Sequence, residues 1–473
     1  MPAGQCVAVR PEEQSGIDMM LRNQPLDARA AWSQQPLSGH RQYPRPSPAL
    51  LIALLIWLSC EPAWGTNGLN LIGSGGISSA LAGADTAVAT DFTAMNTNPA
   101  GMAQIRGEHA GLAMGVLLPQ MHLRGGSNLP GGSNDKDGEN APLVIPNAGY
   151  IRHVTGTPLT LGIGFFSIGG TSSDFRDLKT TLGTTDKTSA QLRHYKLTPS
   201  VAYEVTDRLS VGAALAISYS DVSLAVLPNS LTGFETTGTC NRANGVNPPG
   251  TCPWALGFTP KYGLMYKLND MITLGLAYTS SVHLPFDNGQ ITVNQGTGIG
   301  KVTYDAKMIG FKWADDLSAG VAFRPNKDLL IAFKFQWINW DAALNNVVIN
   351  LTNGNNAAKP TDRIILQYQW RDQYVMAAGL TYDVTDRLNV RAAYNYGNNP
   401  VPKHTVDPTS ANIVEHHLAG GAAYKLTPTL KLEGVFTYSP MNSVTYDSAR
   451  YGNNTTLDVG GSEFFLTLSY WPL

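Results

Sequence analysis

Hydrophobic and polar residues alternate along several stretches of this chain. From Leu209 to Tyr219 the odd positions carry the larger apolar side chains, and the even positions carry only Ser, Gly or Ala. The same period of two recurs in Ile272–Tyr278, Leu388–Tyr396 and Leu430–Tyr438. Such a period places alternate side chains on opposite faces of a β-strand. Runs of about ten residues that end in aromatic side chains fit a lipid bilayer better than the shorter strands of a soluble sandwich. The pattern therefore predicts a membrane β-barrel.

Short connectors rich in Asp, Asn, Pro and Gly separate these runs, and longer polar connectors, among them 169–189 and 441–460, alternate with the short ones. Short turns at one end and long loops at the other are typical of bacterial outer-membrane barrels. Six short turns join twelve strands, and one further strand at each end makes fourteen. We therefore expect an all-β fold, a 14-stranded antiparallel transmembrane β-barrel over residues 108–473. The short connectors are 154–158, 205–208, 268–271, 325–328, 384–387 and 426–429.

An export signal precedes the strands. The run Ala49–Cys60 is apolar throughout, follows two arginines and is followed by the small-residue cleavage pattern Ala63-Trp64-Gly65. A membrane helix needs about 20 residues, so this run is too short to be one. We expect residues 1–65, a signal with an atypically long N-terminal extension, to be removed, so that the mature chain begins at Thr66.

The composition agrees with an exported membrane barrel. Only 14% of the residues are charged, and apolar runs of helix length are absent. The net charge of −2 gives no indication of a nucleic-acid partner. Two cysteines, Cys240 and Cys252, remain after removal of the signal. Because a close pair in an exported protein is usually oxidised, we expect a disulfide between them.

Residues 66–107 differ from the rest of the chain. They are dominated by Gly, Ala and Ser and end close behind Asn98-Pro99-Ala100-Gly101. Such small residues cannot build a core of their own. Their position ahead of a barrel predicts a plug, or hatch, that packs inside the lumen.

This segment also carries a family resemblance. The motifs Ser79-Ala-Leu-Ala-Gly-Ala84 and Asn98-Pro-Ala-Gly101, together with the fourteen-strand count, resemble the FadL/TodX outer-membrane transporters. The resemblance implies a monomeric barrel in the outer membrane of a Gram-negative bacterium, surrounded by lipid and lipopolysaccharide. It implies import of hydrophobic small molecules, above all long-chain fatty acids, by hatch displacement and lateral release through a kink in the third strand. The alternatives are an aromatic-hydrocarbon transporter of the same family, a general-diffusion porin and a structural barrel.

Candidate site residues follow from the same reasoning. In the third predicted strand, Gly162, Gly164, Gly169 and Gly170 are candidates for the kinked wall, since glycines inside a strand often mark a bulge or a close approach. They also have a simpler interpretation, which is that they give the hatch room to pack. Phe166 is predicted to face the lumen.

Cargo contacts are predicted at two further places. Asn98, Pro99 and Ala100 form either an ordinary turn or a hatch turn beside the cargo. Lys334 and Arg391 are candidate partners for a carboxylate. Lysines at 196, 261 and 431 are also predicted to face the lumen, where cations commonly pair with acids such as Glu204 or Glu433.

No catalytic constellation stands out. His416 and His417 are adjacent on a predicted strand, so their rings point to opposite faces and cannot chelate one ion. No nucleophile elbow or phosphate-binding loop is present in the sequence. We therefore expect a transporter without enzymatic activity, cofactor or metal.

Overall fold

The computed structural model describes residues 66–139, 141–237, 240 and 251–472. The predicted export signal, residues 1–65, lies outside the described residues. Fourteen antiparallel strands form a closed barrel, because the last strand pairs along most of its length with the first. The barrel strands are β1 (Glu108–Ser127), β2 (Leu143–His153), β3 (Leu159–Lys179), β4 (Thr185–Glu204), β5 (Leu209–Val226), β6 (Trp254–Lys267), β7 (Ile272–Thr279), β8 (Asp316–Asn326), β9 (Leu329–Ile338), β10 (Gln373–Asp383), β11 (Leu388–Gly397), β12 (His416–Lys425), β13 (Leu430–Ser448) and β14 (Gly452–Tyr470). The predicted fold and strand count are confirmed.

The period of two in the sequence separates an outer from an inner face. On β5, Val211, Leu215 and Ile217 are exposed on the outer surface, whereas Ala214 and Ser218 are buried inside. The other strands repeat this arrangement and together expose a belt of large apolar side chains. In water such a belt would be unfavourable, so it is the surface expected to face lipid.

All six predicted short connectors join neighbouring strands at one end of the barrel, which we call the turn end. The prediction of long loops at 169–189 and 441–460 is wrong. Strand β3 continues to Lys179 and β4 begins at Thr185, while β13 and β14 are separated by three residues. These extensions rise beyond the apolar belt, where both faces are polar or covered by other loops. They therefore carry no alternation that would identify them as strands.

The opposite end, the loop end, carries additional structure that the sequence did not indicate. A small sheet is built from segments between β5 and β6, β7 and β8, and β9 and β10. A disulfide joins Cys240 to Cys252 within the β5–β6 connection, as predicted. No helix in the described part of the chain is long and apolar enough to cross a membrane. The short loop elements are the strands Asn134–Asp137, Phe234–Thr236, Val282–His283, Phe286–Asn294, Lys301–Ile309, Lys312–Trp313, Asn346–Thr352 and Asp362–Gln367, the helix Trp340–Ala343, and the 3₁₀ turns Lys403–Thr405 and Pro408–Ser410.

Most residues of the N-terminal segment from Asn67 to Ile105 are buried. Its backbone is held by inward-facing side chains of distant strands. Thr467 Oγ1 accepts from Gly76 N at 2.8 Å, Asn395 Nδ2 donates to Ala82 O at 2.9 Å, and Ser210 Oγ donates to Ala100 O at 3.1 Å. Its elements are the strands Thr66–Asn67 and Asn70–Leu71, the helices Gly76–Ala80 and Ala94–Thr97, and the 3₁₀ helix Pro99–Gln104.

Candidate functional site

The barrel wall is incomplete between β2 and β3. The two strands pair from His153↔Thr160 only as far as Ala148↔Phe165. Above that point β2 continues for five residues, 143–147, that pair with β1 alone. Pro146 has no N–H to donate to a ladder. We call the gap between residues 143–147 of β2 and 166–173 of β3 the window.

The edges of the window are joined by side chains instead of a ladder. Ser167 N donates to Asn147 Oδ1 at 2.8 Å, and Ser167 Oγ donates to Pro146 O at 2.7 Å. The register between β3 and β4 shifts between Ser167 and Gly169, which is a bulge. Because a bulge bends its strand and increases the local twist, β3 leaves β2 at this point.

The N-terminal segment takes the place of β2 beside the bulge. Asn70 forms a bridge with Gly169, and Gly170 N donates to Leu69 O at 2.9 Å. The two glycines have φ of +157° and +149°, and a Cβ at Gly169 would lie 1.8 Å from Leu69 O. A larger residue at Gly169 would therefore displace the N-terminal segment from the window.

The other two glycines of β3 have a different environment. A Cβ at Gly162 would lie 2.6 Å from Met95 Sδ, and one at Gly164 would lie 2.8 Å from Met95 Cε. These positions give the N-terminal segment room to pack. Of the four predicted glycines, only Gly169 and Gly170 lie at the window.

A cavity of about 90 Å³, which we call the window cavity, crosses the wall at this gap. Its inner lining includes the buried side chains of Leu117, Ile145 and Leu192. Its outer lining includes Val144, which is 60% exposed on the outer surface of β2. The cavity thus connects the apolar interior of the barrel with its lipid-facing surface.

A second, smaller cavity of about 30 Å³ lies towards the loop end and shares Thr171, Leu192 and Asn412 with the window cavity. We call it the Trp370 cavity. Most of its lining is apolar and comes from the loops and from the upper parts of β4 and β5. The lining residues used below are Phe286, Met308, Phe311, Leu344 and Trp370.

A third cavity, of about 100 Å³, is polar and adjoins the window cavity, since Leu71 lines both. Three lysines line it, Lys196, Lys261 and Lys334, together with two carboxylates, Asp85 and Asp316. When all five groups are ionised, this lysine cavity carries one net positive charge. Lys261 Nζ donates to Thr279 Oγ1 at 2.7 Å. None of the three lysines makes an ion pair with another described residue.

The predicted cargo residues are not gathered at one place. Lys334 lines the lysine cavity, but Arg391 Nη1 lies 2.6 Å from Glu433 Oε2 near the turn end. Lys431 Nζ also contacts Glu433, at 2.9 Å. The expected pairing of lumen cations with acids is thus found for Arg391 and Lys431, and not for Lys334.

Two further predicted site residues, Asn98 and Phe166, lie against the wall and do not themselves line the three cavities, although each directly adjoins a lining residue. Asn98 Nδ2 donates to Thr86 O and to Leu264 O, so this residue fastens the segment to β6. Phe166 is fully buried and stacks on Phe92 with ring centroids 6.0 Å apart. Contact of these residues with cargo stays a prediction. The sequence did not indicate Trp370 and Asn412 as cavity residues, because both lie in irregular loops where no pattern distinguishes them.

Comparison with known proteins agrees with the fold. The family model described as outer membrane protein transport protein (OMPP1/FadL/TodX) matches residues 60–470. Outer membrane protein P1 of Haemophilus influenzae is 21% identical over 426 residues, which cover 82% of this chain and 88% of that protein.

Solved structures show the same architecture. The toluene transporter TodX of Pseudomonas putida superposes with a TM-score of 0.67 at 18% identity, covering 86% of this chain and 99% of that one. The toluene transporter TbuX of Ralstonia pickettii gives 0.65 at 20% identity, covering 85% and 99%. A FadL homologue of Pseudomonas aeruginosa gives 0.61 at 17% identity, covering 87% and 98%. With its closed barrel, its apolar belt and a family match over nearly all described residues, this chain belongs to the OMPP1/FadL/TodX family of outer-membrane proteins that transport hydrophobic compounds.

Proposed function

We propose that this protein imports long-chain fatty acids and releases them sideways, through the window, into the outer membrane. The observation that carries the proposal is the apolar window cavity, which crosses the wall where β2 and β3 are unpaired. A hydrophobic molecule gains free energy when it moves from the lumen to lipid without passing through water. A lateral path offers that route, whereas a polar pore along the barrel axis does not.

The choice of a fatty acid rests on the charge of the adjoining lysine cavity. With its five groups ionised, the lysine cavity carries one net positive charge, and it adjoins the apolar window cavity, since Leu71 lines both. A carboxylate would balance that charge while its hydrocarbon chain occupied the window cavity. A neutral hydrocarbon would leave the charge unbalanced. Toluene, which the names of TodX and TbuX give as their cargo, is therefore the second candidate for the cargo of this protein.

The N-terminal segment is proposed to act as a hatch. Its residues Leu69 and Asn70 bond the free edge of β3 at the window, so cargo leaving by this route displaces them. The segment buries mostly small side chains, so a local displacement costs much less free energy than unfolding the barrel. Its burial within the barrel also argues against a general-diffusion pore.

A bulky side chain at the outer mouth of the window tests lateral release. Val144→Trp should lower uptake of labelled oleate about tenfold, because the indole would cover the opening and add about 1.4 kcal/mol to the barrier for exit. Met376→Trp is the matched control, since Met376 is 59% exposed on the outer surface of β10, on the far side of the barrel from the window. Uptake is measured in cells that lack their own fatty-acid transporter, at equal amounts of folded barrel. Equal uptake by both variants would contradict lateral release.

A further inference from the structure

Three polar atoms at the Trp370 cavity lack a hydrogen-bond partner among the described residues. They are Trp370 Nε1, Asn412 Oδ1 and Gln191 Oε1, and the three residues are only 1%, 7% and 3% exposed. The orientation of the Asn412 amide is fixed, because its Nδ2 donates to Gly68 O at 2.8 Å. Its Oδ1 is therefore an acceptor, and the indole N–H of Trp370 is a donor.

Buried polar groups are nearly always hydrogen-bonded, so an unpartnered donor and unpartnered acceptors at one cavity point to a ligand group that can both accept and donate. A hydroxyl does so, because its oxygen accepts one hydrogen bond while its proton is donated to another. Most of the remaining lining is apolar, including Phe286, Met308 and Phe311. The part of the ligand that carries the hydroxyl is therefore otherwise hydrocarbon.

The three cavities form a series. The lysine and window cavities adjoin, with Leu71 lining both, and the window cavity shares the lining residues Thr171, Leu192 and Asn412 with the Trp370 cavity. The series offers a positive charge, then an apolar passage, then a donor and an acceptor in apolar surroundings. We propose that the preferred cargo is a hydroxylated long-chain acid, an inference that rests on the proposed function. Its carboxylate would lie in the lysine cavity and its chain hydroxyl between Trp370 Nε1 and Asn412 Oδ1.

Trp370 and Asn412 are then specificity-determining residues. A site with a buried donor and acceptor discriminates strongly against a ligand that lacks the matching group, because that ligand leaves both atoms unpaired. An unhydroxylated acid would still be bound through its carboxylate and chain, but less tightly.

The test compares octadecanoate with a series of hydroxyoctadecanoates that differ in the position of the hydroxyl. Binding to the purified full-length protein in detergent is measured by calorimetry. At least one isomer should bind about tenfold more tightly than octadecanoate. The O-methyl ether of that isomer accepts a hydrogen bond but cannot donate one. It should therefore lose much of the gain in affinity over octadecanoate, although the protein is unchanged.

Variants of the cavity complete the test. Trp370→Phe should abolish the preference for the hydroxylated isomer, measured as the ratio of its affinity to that of octadecanoate, whereas Met308→Leu, which changes an apolar side chain of the same cavity, should retain that ratio. If octadecanoate binds and no isomer exceeds it, the inference is wrong and the proposed function stands. If no acid binds at all, the proposed function fails as well.

Discussion

At the scale of single residues, Lys334 tests whether cargo carries a negative charge. Lys334→Met should weaken oleate binding about tenfold, since it removes a charge-assisted contact, and should leave binding of uncharged methyl oleate unchanged. Lys327→Met is the control, because the Lys327 side chain is 86% exposed in a short turn. Competition binding with a fluorescent fatty acid measures both ligands. An equal loss for oleate and methyl oleate would assign Lys334 a structural role and favour a neutral hydrocarbon as cargo.

At the scale of elements, each barrel strand has one face that contacts lipid. Leu215 lies on the outer face of β5 and is 51% exposed, and Leu182 is 58% exposed in the turn between β3 and β4 at the loop end. Leu215→Arg should reduce the free energy of unfolding by about 2–4 kcal/mol, the cost of a cation near the bilayer midplane. Leu182→Arg should have little effect because its side chain lies in water. Urea-induced unfolding of the two variants in lipid vesicles measures the difference in stability. Equal stability of the two variants would show that Leu215 of β5 does not face the membrane.

At the scale of the whole molecule, the N-terminal segment links the loops to the window. Trp313 Nε1 donates to Asn70 Oδ1 at 2.7 Å, and Asn70 bridges Gly169 of β3. Trp340, which packs edge-on against Trp370 with ring centroids 5.4 Å apart, lies over Gly68. Leu69, whose backbone O accepts from Gly170 N at the window edge, lines the Trp370 cavity itself, so a ligand in that cavity lies directly beside the backbone that bonds the window edge. This contact chain is consistent with a hatch that responds to cargo.

An engineered tether tests whether the hatch moves. A Cβ at Gly76 would lie 3.2 Å from Thr467 Cβ and 2.9 Å from Glu433 Cβ, so a shift of the segment by a few tenths of an ångström away from the wall would relieve the contact with Glu433 and bring the Gly76–Thr467 pair to disulfide geometry. The double variant Gly76→Cys and Thr467→Cys should lose fatty-acid uptake when oxidised and regain it on reduction, while the barrel remains folded. The single-cysteine variants are the controls. Normal uptake by the oxidised protein would favour a static side passage over a moving hatch.

The amino-acid sequence determined the barrel, its fourteen strands, the turn end and the disulfide. Each of these depends on local information. A strand between lipid and lumen must alternate along its own length, and a tight turn needs Gly, Pro, Asn or Asp at the turn itself. For the same reason the upper parts of β3, β4, β13 and β14 were missed, because no lipid contacts them and no alternation is imposed.

Only the tertiary structure decided where the wall is open and which groups surround the cavities. The window exists because β2 and β3 separate above Ala148 and Phe165, a property of two strands and of the N-terminal segment that replaces one of them. Lys334 could be named from its strand, but its neighbours Lys196 and Lys261 come from strands far away in the sequence. Trp370 and Asn412 come from separate loops. Such groupings arise from barrel closure and loop packing, which bring together residues that no local pattern relates.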